Sequence, residues 1–396
     1  MTTAPREKRK DGKGGRFDYL DGLRGMAAFS VVLYHFCLFI VWNDPHAEQV
    51  LGVLTSTPLR GLLNGSFAVS VFFVLSGFVI SHSSARSKNT LAALVVARYF
   101  RLTVPMGAAL ICSLLLLWFF LPDRPELIRF DHWFWQVAGP AGMTGRLWLK
   151  PITDALYGVY LKRDVFLDNP LWTMRIEMMG SLGIYLVYYF ISPRVRLIAL
   201  CICAFLVLPK ISFLLPFVFG ALLQEAWVRE KFRDSGFSWL AFVTGILIAA
   251  FPVFDLFPSS GFHRPIVHTL YYHRGVINYT GSALIIYAIC TAPLLRAFFA
   301  SSIPAFLGKI SFSLYLIHVP LLLTVAAWVY VHTPVPSYCK LPIALMVEVS
   351  CALLAGWLLT IAIDQPLTTW LPRLKKSIDG LVAVASQRLM KPQRSF

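Results

Sequence analysis

The sequence predicts an all-α polytopic membrane protein of about ten transmembrane helices, with both termini cytoplasmic. Three observations carry this. Hydrophobic residues make up 57% of the chain and charged residues only 14%, whereas soluble domains need about 25% charged residues to coat their surface. Apolar runs of roughly 20 residues, long enough to cross a hydrocarbon core, recur from end to end. The net charge of +16 gathers in tails and short loops, as the positive-inside pattern requires. That placement speaks for anionic lipid headgroups and against nucleic acid as the partner of the basic residues.

A basic tail over 1–16 holds Arg6, Lys8, Arg9, Lys10, Lys13 and Arg16. The apolar run after it is too long for the hydrophobic region of a signal peptide, and no small-x-small cleavage site follows, so it is expected to be the first span. Spans are then expected at 20–42, 64–84, 103–121, 171–191, 195–209, 210–227, 237–254, 276–296, 305–331 and 341–363. Pro209 and Lys210 divide two short spans within 195–227. A membrane domain over 17–372 results, followed by a basic C-terminal tail over 373–396 with Arg373, Lys375, Lys376, Arg388, Lys391 and Arg394. Loops sharing a side with the N-terminus carry about twice the Lys and Arg of the others, which puts both ends inside. No internal repeat stands out.

Six of the seven cysteines sit in apolar runs and only Cys339 in a loop. With no zinc-type or redox pair, they read as small core residues. The longest connection, 122–170, contains Trp133, Trp135 and Trp148. Long irregular connections are often functional, so this one is expected either to form part of an acceptor surface or to cap the bundle at the interface.

The chemistry-bearing residues begin in the first span, where Arg24 and His35 stand eleven apart. Eleven helical residues turn through about 1100° and rise about 16.5 Å, so both side chains face one way at different depths. Intramembrane charges usually line a cavity or meet a partner. The pair therefore lines a shared passage, or else Asp21, one turn before Arg24, pairs with the arginine and His35 is a hydrogen-bonded core residue.

The stretch YLDGLRGMAAFSVVLYHF resembles the opening of the integral-membrane acyltransferase 3 family, in which a basic residue precedes a histidine at the spacing of Arg24 and His35. The resemblance continues, in order, through FFVLSGFVIS at 72–81, RYFR at 98–101, NPLWTMRIEMMGSL at 169–182 and SFSLYLIHVPLL at 311–322. It departs where Met174, Arg175 and Ile176 precede Glu177 and where the last span ends in Asp364-Gln365-Pro366. The resemblance implies transfer of an acyl group, commonly acetyl, from acyl-coenzyme A to a hydroxyl of a sugar or related acceptor, with no metal.

On that reading His35 is the general base, since histidine titrates near neutral pH. Arg98 and Arg101, neighbours on one helix face, meet the phosphates of coenzyme A or serve as ordinary membrane-edge anchors. Arg24 joins them in holding the donor. Ser76 and Gly77 approach the donor or pack against another helix. Glu177 orients His35, binds the acceptor, or has a structural partner. His318, just before Pro320, lines the acceptor or the cofactor or is a core histidine, with acceptor binding the assigned role, and Trp172 is assigned to acceptor binding. His263, His268 and His273 are five residues apart; helical side chains at that spacing do not converge on a metal. The partners expected are acyl-CoA, a carbohydrate or glycolipid acceptor and membrane lipid, and the expected location is a bacterial inner membrane. The alternative from another class is a secondary transporter or flippase using the same ionisable residues as a proton relay. A third is an inactive sensor that keeps the fold.

Overall fold

The computed structural model describes residues 17–41, 58–136, 145–162, 165–207, 212–229, 236–251 and 274–390. The N-terminal tail over 1–16, the histidines at 263, 268 and 273, Lys210, and Lys391 and Arg394 lie outside the described residues. Among the described residues every regular element is helical.

The chain opens with α1 (Asp18–Phe39), α2 (Gly65–Arg86) and α3 (Leu91–Phe119). Short helical turns and a π-helical stretch, Asp154–Lys162, lead to α4 (Trp172–Phe190). Next come α5 (Arg196–Val207), α6 (Leu215–Val228) and α7 (Phe237–Ala250). α8 (Arg274–Thr291) and α9 (Pro293–Phe299) are followed by α10 (Ser302–Leu321), whose helical course runs on to His332. α11 (Ser337–Leu359) and α12 (Gln365–Met390) close the chain.

Among the described residues, five helical stretches are long and apolar enough to cross a membrane: Asp18–Phe39, Gly65–Arg86, Leu91–Phe119, Ser302–His332 and Cys339–Gln387. α8 and α9 meet at a bend of 102° and make a sixth if taken together. Pro293 has no N–H to donate, which favours starting a new helix there. The difference from ten spans falls mainly in α4–α7, helices of 19, 12, 14 and 14 residues. At about 1.5 Å per residue α5–α7 reach roughly 18–21 Å, short of a core about 30 Å thick, whereas α4 is long enough and is set apart by its lower hydropathy, with Arg175 and Glu177 in its first turns. Their outer faces are nevertheless apolar: Phe205 is 77% and Leu247 63% exposed. In water such a belt would aggregate, whereas in lipid it is solvated.

Residues 373–390 belong to the helix α12. α12 packs along α3, and the Asp379 carboxylate accepts from the Thr90 backbone N–H at 2.9 Å and hydroxyl at 2.7 Å, while the Thr90 oxygen itself caps α3.

The connection before α4 dips into the bundle. Thr173, at the start of α4, reaches the Tyr315 hydroxyl at 3.0 Å, and Tyr315 stands midway along the helical course Ser302–His332. Non-helical backbone is tolerated at such depth only where protein satisfies it. Here the Pro170 carbonyl accepts from Thr173 at 2.7 Å and from Tyr315 at 3.3 Å, and the Leu167 carbonyl accepts from Ser113.

One helix pair sets the frame for the functional residues. α1 and α10 run parallel and in register, with Gly25 against Gly308 near one end and His35 against His318 ten residues on. A Cβ on Gly25 would collide with the backbone of Leu307 and Gly308, and one on Gly308 with the Asp21 carbonyl. The two glycines therefore allow the close approach. Ala28 and Val32 of α1 fill the space between, against Ile310, Leu314 and Ile317. Gly308→Val is expected to force these helices apart and lower the melting temperature of the protein in detergent by several degrees. Gly183→Ala, at a position open within 4 Å, should leave it unchanged; equal melting curves for the valine variant would show that the crossing is not tight.

Candidate active site

A cavity of about 640 Å³ opens among α1, α2, α3, α4 and α10, well within the size of small-molecule sites. Arg24, Arg86, Arg98, Arg101 and Lys375 line it, with Asp21 and Glu177 as the acidic counterweight. The helix frame fixes three of these cations. Arg24 pairs with Asp21 at 2.9 Å and donates from Nε to Ser311 at 2.9 Å and from Nη2 to the Gly308 carbonyl at 3.4 Å. Arg98 pairs with Glu177 and donates from Nε to Ser181 at 2.9 Å. Arg101 forks onto both oxygens of Asp364, the second at 3.2 Å, and lies over the Phe312 ring at 5.1 Å. A guanidinium has five N–H donors, and these partners leave donors on each one unclaimed. The walls thus present oriented positive groups suited to the fork geometry of phosphate.

Beyond the cavity lies a histidine pair. His318 Nδ1 stands 2.9 Å from the Tyr315 carbonyl, and His35 Nδ1 stands 3.1 Å from the Val31 carbonyl. A carbonyl can only accept, so each neutral ring carries its proton on Nδ1. The His318 Nε2 is then a bare lone pair, and it sits 3.0 Å from His35 Nδ1, which shares its proton between that lone pair and Val31. His35 Nε2 is left with an available lone pair. The His35 ring is half-buried, stacked on Phe39 at 5.9 Å, whereas His318 is fully buried. Chemically, this is a base whose second nitrogen is braced by a neutral acceptor.

Sequence spacing and structure meet at several points. Arg24 and His35 both reach α10, the first at Ser311 and the second at His318. Arg24, Arg98, Arg101 and Ser76 line the cavity, whereas His35, His318, Trp172 and Gly77 do not. Gly77 instead packs on the backbone of Phe217 in α6. Glu177 reaches Arg98 and not His35; the histidine's neighbour is His318, which faces His35 and not the cavity. Trp172 is 46% exposed.

Of the long connection, residues 137–144 and 163–164 and the Trp133 side chain lie outside the described residues; Trp135 is fully buried and Trp148 exposed. Among the described residues no group of three or more His, Cys, Asp or Glu is placed to hold a metal ion. Sequence reasoning gave no site role to Ser181, Ser311, Tyr315, Lys375 or Asp364, the last noted only as a departure at the end of the final span. Two of them were within reach: Ser181 follows Glu177 by one helical turn, and Ser311 precedes His318 by two.

Asp168, also missed, lies just before the NPLW stretch. Its carboxyl is 1% exposed and neither oxygen has a hydrogen-bond partner among the described residues.

Residues 17–364 match the acyltransferase 3 family, described as an acyltransferase domain. A curated relative, the O-acetyltransferase PaAT-1 of Phomopsis amygdali, is 24% identical in an alignment that covers 77% of this chain and 72% of that protein. No solved structure matches.

An orphaned buried carboxyl costs stability. Asp168→Leu, which removes both polar oxygens, is expected to raise the melting temperature. A clear drop would show that the carboxyl is satisfied.

Proposed function

We propose, since the chain belongs to the acyltransferase 3 family, that this integral membrane O-acyltransferase takes its acyl group, acetyl in the first instance, from acyl-coenzyme A and passes it to a hydroxyl of a carbohydrate or glycolipid. The observation that supports this most directly is the adjacency of a cavity lined by fixed cations to a histidine with a free Nε2 lone pair.

In this reading Arg24, Arg98 and Arg101 hold the phosphates of the donor, with Arg86 and Lys375 at the polar end and Ser76 on the wall. The pantetheine arm follows the apolar lining of Phe72, Phe73 and Met174 toward α10. His35 Nε2 removes the proton of the acceptor hydroxyl as its oxygen attacks the thioester carbonyl. The tetrahedral intermediate collapses with cleavage of the carbon–sulfur bond, and the proton on His35 passes to the departing thiolate. His318 is a positioning residue: its lone pair fixes the His35 tautomer and steadies the imidazolium. Glu177 serves by orienting Arg98. Direct transfer needs no acyl-histidine.

Topologically, the five long helices, the α8–α9 pair and α4–α7 together make ten crossings with both ends cytoplasmic. The cation-lined end of the cavity then faces the cytosolic pool of acyl-CoA in a bacterial inner membrane, and the acceptor approaches from the other side past Trp172 and the 122–170 connection. A transporter reading would need these ionisable groups free to relay protons, whereas each of the three arginines already has its own carboxylate.

His35→Gln is expected to lower transfer from labelled acetyl-CoA by about 10²–10⁴-fold with insertion unchanged; full activity would refute the base. His318→Leu should fall nearly as far, and His318→Gln, which keeps an acceptor oxygen, should recover part of the loss. If leucine and glutamine behave alike, the lone pair of His318 has no role. For the cavity mouth, the double substitution Arg86→Ala and Lys375→Ala is expected to raise the KM for acetyl-CoA about tenfold with kcat unchanged, an effect that shrinks in high salt. An unaltered KM would place the phosphates elsewhere.

A further inference from the structure

We infer that Tyr315, with Phe72, forms a gate between the donor cavity and the histidine pair and thereby limits the length of the acyl group that can be transferred. The inference rests on the proposed acyl-CoA reading and adds the determinant of donor selectivity.

Phe72, Thr173 and Tyr315 line the cavity, whereas His35 and His318 do not. The Tyr315 ring is 5.5 Å from Phe72 on one side and 5.8 Å from the His318 ring on the other, so it stands between the space and the base. Along α10 the order is Ser311, which holds Arg24, then Tyr315, then His318. Seven residues of helix span about 10.5 Å and Tyr315 lies about 6 Å along that path. A donor whose phosphates are held at the level of Arg24 must therefore lead its thioester past the tyrosine to reach His35.

The ring is held in place and not merely packed there. Thr173 donates to the Pro170 carbonyl at 2.7 Å, which leaves its oxygen free to accept the Tyr315 hydroxyl at 3.0 Å; the tyrosine also lies 3.3 Å from the same carbonyl. The side chain is only 5% exposed. Its backbone carbonyl is the group that sets the His318 tautomer, so one residue holds both the barrier and the brace of the base. The latch is two hydroxyl hydrogen bonds, each of modest net strength, and the swing of one ring opens a short passage that fits a small acyl group and excludes a long one.

The test uses membranes containing the full-length protein, which also supply the acceptor, and radiolabelled acetyl-, butyryl- and hexanoyl-CoA. Label in the carbohydrate fraction is measured. Tyr315→Ala and, separately, Phe72→Ala are expected to raise the hexanoyl-to-acetyl incorporation ratio at least tenfold. Tyr315→Phe, which keeps the ring and loses the latch, should hold the ratio near that of the unmodified protein. Tyr315→Leu serves if the alanine variants fail to accumulate, with a smaller rise expected. A ratio unchanged in the alanine or leucine variants, with acetyl transfer merely reduced, overturns the gate while leaving the acyl-CoA reading intact. No incorporation of any chain by the unmodified protein overturns both.

Discussion

The close parallel packing of α1 on α10 is the constraint from which the rest of the site follows. Gly25 and Gly308 let two backbones touch, and because both helices rise alike, a contact made at one end fixes the register at the other. Arg24 is brought to Ser311 and His35 to His318 by that one contact. In a membrane there is little hydrophobic force between helices, so small residues and polar links must supply the association. The same residues that hold the pair together here are those that place the cation and the base.

The charges obey a second constraint. A lone arginine at membrane depth is costly, and breaking a buried pair leaves an uncompensated charge. Each of the three central arginines has a separate carboxylate: Asp21 on its own helix, Glu177 on α4, and Asp364 where α11 gives way to α12. Two of these pairs reach across the bundle, and Arg24 does so through Ser311 and Gly308 of α10, which ties the orientation of every guanidinium to the packing of a different helix. Its excess of positive charge comes from Arg86 and Lys375, and α12, through Asp379 on Thr90, is part of the same construction.

Local spacing carried much of this. The helical class was legible in composition, and the common direction of Arg24 and His35 in their separation of three turns. Arg98 and Arg101 could be paired as neighbours by the same arithmetic, and the order of motifs along the chain pointed to the family. What spacing cannot contain is the choice of distant partner. Glu177 offered no sign that it would meet Arg98 and not His35, and Asp364 stands 263 residues from Arg101. The Ser76-Gly77 pair divided, with the serine on the cavity and the glycine against α6. Apolar runs were legible at α5–α7 too, but not that their helices would be shorter than the five long ones. Nor did the hydropathy of the connection before α4 reveal that it turns inward to meet Tyr315.

The most direct test of this arrangement is a structure, determined by electron cryomicroscopy in lipid nanodiscs, with a non-hydrolysable thioether analogue of acetyl-CoA. The arrangement described here requires the phosphates against Arg24, Arg98 and Arg101 and the sulfur end directed along α10 at Tyr315 toward His35. Density for the analogue on the opposite side of the α1–α10 pair, or outside the arginine-lined cavity, would contradict it.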